Sequence, residues 1–252
     1  MLNIPLDIPT PRPIGSTPEI PDWIRGFTLQ GYRNVYELLP HETSLYGAED
    51  LYGDWRGDTL ILGREHGPVA GVIARVDADE RVPFGHSRGD KHTELLKQRV
   101  LAGGLNRAIW SRECGLLYGT AVASLCRTSP RATGALPKKD EALTYGAQVL
   151  SGFVLQQMPN LSQVICLGRE AWRVATEAFD VTGRDRAIPS LKPVSAATPA
   201  DAATHRDTVT LLPLHAPGAV ANKADVEKRW GWAYEAVAAS RGAAERQERR
   251  VA

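Results

Sequence analysis

Short apolar runs alternate along the chain with longer segments in which apolar residues recur at helical spacing. Four runs predict buried strands at residues 59–63 (TLILG), 116–124, 163–168 (QVICLG) and 209–214 (VTLLPL). The periodic segments predict helices at residues 91–113, 139–158, 170–179 and 224–239. Gly103-Gly104 is expected to break or kink the first of these helices. Strands that alternate with helices predict one α/β domain, with a parallel sheet covered on both faces.

Three segments lie outside this alternation. Six of the 17 prolines fall in the first 21 residues, and proline fixes φ and removes a backbone donor, so residues 1–22 predict an extended arm. A surface-draped arm is favoured over a partner-binding one. Residues 189–206 are rich in Ala, Thr and Pro and predict a long loop, within an insertion of about 186–207. Residues 23–240 would form the single domain and residues 241–252 a charged tail.

Composition is that of an ordinary globular protein. The 252 residues are 43% hydrophobic and 23% charged, which excludes a disordered or collagen-like chain. Three cysteines without a Cys-x-x-Cys pair fit neither a disulfide framework nor a four-thiolate metal site, so no metal is expected. No run of 18 apolar residues and no secretory signal pattern is present. We therefore expect a cytoplasmic protein that does not interact with membranes.

The net charge of +1 is a cancellation between unlike segments. Residues 1–58 carry four basic and nine acidic groups, a net charge of −5, whereas residues 81–112 carry seven basic and two acidic groups, a net charge of +5. Residues 113–140 and 223–252 each carry +2. A nucleic-acid-binding surface confined to the positive segments is therefore compatible with the near-neutral total.

Candidate chemistry follows the first and fourth predicted strands. The segment GREHGP (residues 63–68) places Glu65 after one strand, and LHAPG (residues 214–218) places His215 after the other. Ligands of parallel α/β sheets bind beyond the carboxyl ends of the strands. Glu65 alone could be a turn acid and His215 alone a packing residue. Together, a carboxylate and an imidazole at two strand ends favour a general-base and charge-stabilising pair.

The order of motifs from about residue 60 to residue 232 resembles the uracil-DNA glycosylase superfamily. GREHGP looks like the water-activating loop of that family, and VPFG (residues 82–85) looks like its Pro-Phe segment, whose ring stacks on the flipped base. Cys126-Arg127, the following helix and ICLG (residues 165–168) are similar to its middle portion. LHAPGAV (residues 214–220) is similar to its His-Pro-Ser motif and minor-groove loop. The resemblance implies a three-layer α/β/α fold with a central four-stranded parallel sheet.

The chain departs from the family pattern at several positions. Glu65 stands where most branches have Asp or Asn, and Val122 stands where the uracil-reading Asn is expected. Valine cannot form the paired hydrogen bonds by which Asn recognises a pyrimidine edge. Gly67 replaces the bulky Tyr that excludes 5-substituted pyrimidines, which leaves room beside C5. Cys126 matches one iron–sulfur ligand position but Gly146 falls near another, so no cluster or other cofactor is expected.

The resemblance implies a role for each matched residue. Glu65 would position water at C1′, His215 would donate to the departing base, and Phe84 would stack on that base. The proposed substrate-binding set is Gly63, Arg64, His66, Gly67, Phe84, Val122 and Ser124. The proposed DNA-binding set is Arg127, Arg131, Lys138, Lys139, Pro217, Gly218, Val220 and Lys223, in which Val220 or the adjacent turn would fill the gap left in the duplex. His66, His86 and His92 are candidates for contact with a substituent of the base.

The leading hypothesis is a monomeric, monofunctional DNA glycosylase that flips and excises a 5-modified pyrimidine, hydroxymethylated or glucosylated, in defence against phage. One alternative is a uracil-DNA glycosylase of base excision repair that recognises the pyrimidine through backbone groups. A second is a catalytically inert relative that only binds DNA. An unrelated α/β hydrolase is disfavoured because the sequence has no Gly-x-Ser-x-Gly elbow and no cluster of metal ligands.

Overall fold

The computed structural model describes residues 18–40, 53–77, 91–105, 115–129, 135–182, 188–204, 206–216, 219 and 221–251. The strands in these ranges are β1 (Tyr32–Asn34), β2 (Thr59–Gly63), β3 (Leu116–Thr120), β4 (Leu125–Arg127), β5 (Gln163–Leu167), β6 (Val194–Ala197) and β7 (Thr208–Leu214). The helices are α1 (Asp22–Arg25), α2 (Val35–Leu38), α3 (Val69–Asp77), α4 (Lys91–Ala102), α5 (Lys139–Val149), α6 (Leu155–Gln157), α7 (Arg169–Ala178) and α8 (Lys223–Val251). A π-helical turn, Leu150–Val154, joins α5 to α6, and a 3-10 turn spans Ile188–Ser190.

The central sheet has five described strands in the order β3-β2-β5-β7-β6. Strand β2 pairs in parallel with both β3 and β5, and β5 pairs in parallel with β7, which confirms the predicted parallel core. Strand β6 pairs with β7 in the antiparallel sense and forms an edge. The prediction of four strands was therefore wrong by one. An antiparallel edge strand beside β7 was not predicted because the segment 194–197 lacks a strong apolar run.

Alternate residues of each central strand enter two separate cores. On one face, Leu60 and Leu62 of β2 pack in the larger core with residues of α5 and α7, such as Leu143 and Trp172. On the other face, Ile61 belongs to a second core with residues of α4 and α8. This alternation is the period-two pattern of a strand buried on both sides, and it produces a mixed α/β fold with helices on both faces of a mostly parallel sheet.

Several predicted boundaries need correction. Residues 189–206 are not a continuous loop, because they include the end of the 3-10 turn and all of β6. The strand predicted at residues 116–124 ends at Thr120, since a tight turn follows. Helix α4 ends at Ala102, immediately before Gly103-Gly104 as expected, and residues 106–114 lie outside the described ranges. Helix α8 spans Lys223–Val251 and is therefore longer than the helix predicted at residues 224–239.

The last residues of the predicted arm, residues 20–22, already belong to the folded domain. Ile20 is 2% exposed and belongs to the larger core, and α1 begins at Asp22. The preceding residues 1–17 lie outside the described ranges, so the arm itself stays a prediction. None of the described helices combines the length and apolar character needed to span a membrane.

The turn after β3 presses directly on α5. A Cβ added to Gly146 would lie 1.9 Å from the carbonyl oxygen of Ala121, a distance at which backbone must move. Ala123 in the same turn has a φ of 47°, and its amide donates to the carbonyl of Thr120. The absence of a side chain at Gly146 therefore lets the turn from β3 to β4 sit against the helix.

Replacement of Gly146 by Ala should lower the free energy of unfolding by about 1–3 kcal/mol, because the new methyl group meets a backbone atom that side-chain rotation cannot clear. Urea denaturation would measure the change. Gly152→Ala is the matched control in the π-helical turn, since its Cβ would meet nothing closer than Trp23 Cζ2 at 3.9 Å. Equal stability of the two variants would contradict the packing described for Gly146.

Candidate functional site

A buried ion pair lies at the carboxyl end of β2. The carboxylate of Glu65 accepts a hydrogen bond from Nε of Arg127, which lies 62 residues further along the chain. The Arg127 side chain is 1% exposed and that of Glu65 is 9% exposed. The second oxygen, Oε1, lies 3.6 Å from Nε of Arg64, whose side chain is about one-third exposed. Glu65 is thus a carboxylate held between a fully buried and a partly exposed guanidinium.

Arg127 reaches this position through a small antiparallel ribbon formed by β1 and β4. Tyr32 of β1 stands opposite Arg127 in the register, and a further bridge connects Arg127 with Pro68. The ribbon therefore joins the N-terminal segment to the loop that carries Glu65. Arg127 was predicted to bind DNA, but its buried side chain pairs with Glu65 instead.

The structure adds Tyr32, which the sequence analysis missed. Its hydroxyl is buried and has no hydrogen-bond partner within the described part of the chain. Burial, and after it the negative charge of Glu65, raises the pKa of this phenol, so the hydroxyl keeps its proton beside the ion pair. No local pattern marks Tyr32 as a site residue, because its proximity to Arg127 depends on pairing between strands 95 positions apart.

His66 connects two loops through a hydrogen bond. It is 3% exposed, and its Nε2 bonds with the carbonyl oxygen of Ala123 in the turn after β3. The hydroxyl of Thr120 donates to the same carbonyl at 3.1 Å. These bonds hold the loop after β2 against the turn after β3. Contact of His66 with a substrate stays a prediction, and the residue already has a structural role.

Lysine and glutamate from two helices border the ion pair. Nζ of Lys139, at the start of α5, lies 3.0 Å from Oε1 of Glu170, in the first turn of α7. Burial alone would raise the pKa of Glu170, but the hydrogen bond from Lys139 and the charge of Arg64 leave it below its usual value. The Lys139–Glu170 pair thus joins the start of α5 to the first turn of α7.

A second polar chain follows β7. Nε2 of His215 lies 2.7 Å from Oδ2 of Asp225, in the first turn of α8, and Nε of Arg229 lies 2.9 Å from the same oxygen. The side chain of Arg229 is 2% exposed, and its Nη1 donates to the carbonyl oxygens of Pro213 and Leu191. The hydrogen bonds from Arg229 first, and from His215 second, lower the pKa of Asp225. His215 is therefore oriented by an ionised carboxylate that is itself anchored.

Glu65 and His215 lie at the same edge of the sheet but not in contact. Their strands, β2 and β7, lie on either side of β5, so the two strand ends are about 10 Å apart, two strand spacings. The amide of Gly168, at the end of β5, donates to the carbonyl of Leu214 at 2.8 Å and connects the loops.

The other described residues of the predicted substrate-binding set are two glycines and two residues in or beside the turn after β3. Two glycines flank the ion pair: Gly63 packs against the hydroxyl of Tyr118, whereas Gly67 has a φ of 95° and no described atom within 4 Å of the position of a Cβ. Val122 and Ser124 are fully buried in or beside the turn after β3, and Ser124 Oγ bonds with the hydroxyl of Tyr145. Their contact with a base stays a prediction that this packing does not support.

Three lysines were predicted to bind DNA at the surface. Lys223 is exposed at the start of α8, while Lys138 pairs with Glu141 and Lys139 pairs with Glu170. A phosphate that binds either of the paired lysines would have to compete with a carboxylate. Several further predicted residues lie outside the described ranges: Phe84, His86, Arg131, Pro217, Gly218 and Val220.

Comparison with known proteins does not assign the chain to a family. No protein-family model matches the sequence, and no curated protein matches it significantly. Within the described ranges, no group of three or more His, Cys, Asp or Glu side chains is arranged to hold a metal ion.

Removal of Arg127 should destabilise the protein more than removal of a surface arginine. Arg127→Met would leave a nearly buried carboxylate without its guanidinium, and we expect a loss of about 3 kcal/mol in the free energy of unfolding. Glu65→Gln combined with Arg127→Met should lose less than the two single variants together, by about 1 kcal/mol or more. Urea denaturation of all four proteins measures this coupling energy.

The exposed pair Arg33–Glu37 is the control for this cycle. Its atoms approach within 2.7 Å, but its side chains are 45% and 51% exposed, so the same substitutions there should couple by no more than about 0.5 kcal/mol. A coupling energy near zero for Glu65 and Arg127 would show that the buried contact does not contribute to the folded state.

Proposed function

We propose that this chain is a monofunctional DNA glycosylase, which hydrolyses the N-glycosidic bond of a nucleotide flipped out of the DNA. The observation that supports this most directly is that two polar groups stand at one edge of the sheet. The Glu65 carboxylate after β2 is bound by Arg127, and the His215 imidazole after β7 is bound by Asp225. The proposal includes a uracil-DNA-glycosylase-like arrangement of the α/β fold, on which the motif resemblance depends.

The reaction needs opposite charges stabilised at two positions. As the bond from C1′ to the base breaks, positive charge develops on the sugar and negative charge on the departing base. A carboxylate near C1′ stabilises the first, and a hydrogen-bond donor near the base stabilises the second. Glu65 and His215, about two strand spacings apart at one edge of the sheet, match this division.

Arg127 determines how Glu65 can act. Its Nε donates a hydrogen bond to Oε2 of Glu65. The other oxygen, Oε1, lies 3.6 Å from Nε of the partly exposed Arg64, and we propose that it holds the water molecule. The hydrogen bond from the guanidinium of Arg127 fixes the orientation of the carboxylate. Glu65 is therefore suited to positioning water and to stabilising the sugar cation.

The proposed substrate is a 5-modified pyrimidine, hydroxymethylated or glucosylated. The support is the space beside Gly67, where a Cβ would meet no described atom within 4 Å. Modified bases of this kind in phage DNA would make the enzyme a defence protein. Uracil repair is the alternative, and the choice of substrate in the assay below decides between them.

A catalytically inert DNA-binding relative is the second candidate. The observation that favours it is the ion pair itself, because a carboxylate neutralised by a buried arginine loses part of its attraction for a developing cation. Such a relative would bind DNA through exposed cations such as Lys223 and would leave every base in place.

Incubation with oligonucleotides that carry uracil, thymine, 5-hydroxymethyluracil, 5-hydroxymethylcytosine or glucosylated 5-hydroxymethylcytosine, followed by detection of abasic sites, tests these proposals. We expect release of an enlarged pyrimidine without strand cleavage. Release of uracil alone would support repair, and DNA binding without release from any substrate would support the inert relative.

On the substrate that is cleaved, Glu65→Gln and His215→Ala should each lower kcat by about 10²-fold or more, the usual effect of losing one electrostatic or acid–base group. Glu227→Gln is the matched control, because that exposed carboxylate pairs with Arg99 on the helices α4 and α8. Full activity of both site variants would rule out the proposed roles even if base release were observed.

A further inference from the structure

The hydrogen-bond chain from His215 to Asp225 and Arg229 determines which ring nitrogen of the histidine carries the proton. Nε2 of His215 lies 2.7 Å from Oδ2 of Asp225, and Nε of Arg229 donates to the same oxygen at 2.9 Å. An ionised carboxylate can only accept, and the lowered pKa of Asp225 keeps it ionised at neutral pH. The hydrogen of a neutral imidazole must therefore reside on Nε2, and Nδ1 is the acceptor.

Arg229 connects this arrangement to the strand that carries the histidine. Its Nη1 donates to the carbonyl of Pro213, two residues before His215, at 2.8 Å, and to that of Leu191 at 3.2 Å. The side chain of Arg229 is almost completely buried. The first turns of α8 are thus fastened to the end of β7, and neither the carboxylate nor the ring can turn independently.

We infer that Asp225, anchored by Arg229, is a positioning residue that holds His215 with its proton on Nε2 and presents Nδ1 as a proton acceptor. Within the part of the chain that the structure describes, Nδ1 makes no hydrogen bond. The His215 side chain is 11% exposed, so part of the ring is accessible at the edge of the sheet. This inference rests on the proposed function and refines the role of His215 within it.

The tautomer changes the order of proton transfers in the proposed reaction. Neutral His215 has no proton on Nδ1 to give to the base, so the ring first accepts one from solvent. The water held on Glu65 forms a bond to C1′ and passes one proton to that carboxylate, which releases it to solvent. The bond from C1′ to the base nitrogen breaks, and its electron pair stays on the base. The proton on Nδ1 then passes to that nitrogen, which regenerates the neutral ring. Asp225 stabilises the transient imidazolium, and Glu65 stabilises the sugar cation.

The tautomer can be measured without any substrate. Nitrogen-15 NMR of the imidazole in the full chain, recorded above the midpoint of its titration, separates the two neutral forms, and the signal missing from His215→Ala identifies the residue. We expect the Nε2–H form in the wild type and its loss as the dominant form in Asp225→Asn. Asp140→Asn is the control, since Asp140 also lies in the first turn of a helix and pairs with an arginine, Arg173.

A wild-type spectrum with the proton on Nδ1, or the same spectrum in Asp225→Asn as in the wild type, would overturn the inference. If Asp225→Asn does not fold, Asp225→Glu should fold and keep the Nε2–H form, because it retains the carboxylate. A different tautomer in a folded Asp225→Glu protein would equally count against the positioning role.

The kinetics of base release distinguish a positioning role of Asp225 from a purely structural role in α8. On a cleaved substrate, Asp225→Asn should lower kcat by about 10²-fold to 10⁴-fold and change KM by less than about twofold, because the carboxylate acts through His215. Unchanged kcat together with an altered tautomer would refute its part in the reaction. If the tautomer is as expected but no base is released from any substrate, the glycosylase proposal fails while the positioning of His215 stands.

Discussion

The contact on which the site depends is the buried ion pair between Arg127 and Glu65. Charges removed from water are tolerated when they are paired and hydrogen-bonded, and here the guanidinium is buried almost completely. The pair joins the loop after β2 to the β1–β4 ribbon, and through that ribbon to the N-terminal segment. The Glu65 carboxylate and the attachment of the first described residues thus depend on the same ion pair.

The polar groups after β2 and after β7 are each held in place by an oppositely charged partner. At β2, a buried arginine holds a carboxylate, and at β7 a carboxylate holds an imidazole and is itself held by a buried arginine. In both, the anchoring guanidinium is nearly inaccessible, while the group available for chemistry lies closer to the surface. Such preorganisation suits a reaction in which positive and negative charge separate between fixed positions.

The arrangement also sets a tension within the proposed enzyme. The arginine that orients Glu65 reduces the negative potential that a developing sugar cation would experience. Tyr32 adds a protonated hydroxyl beside the same pair, without a partner in the described ranges. The balance between orientation and neutralisation decides whether this geometry supports catalysis or only recognition of DNA.

The parallel core and most of its helices could be predicted from the sequence, because each central strand is a short apolar run and each covering helix has its own periodicity. The positions of Glu65 and His215 at one edge of the sheet could also be predicted, since residues that follow parallel buried strands lie at the same edge. Several contacts could be seen only in the folded structure: Arg127 pairs with Glu65, Tyr32 lies opposite Arg127, Asp225 contacts His215, and β6 forms the edge of the sheet beside β7. Those contacts join segments that are not adjacent in the chain, and they depend on strand pairing and helix docking, which local patterns do not specify.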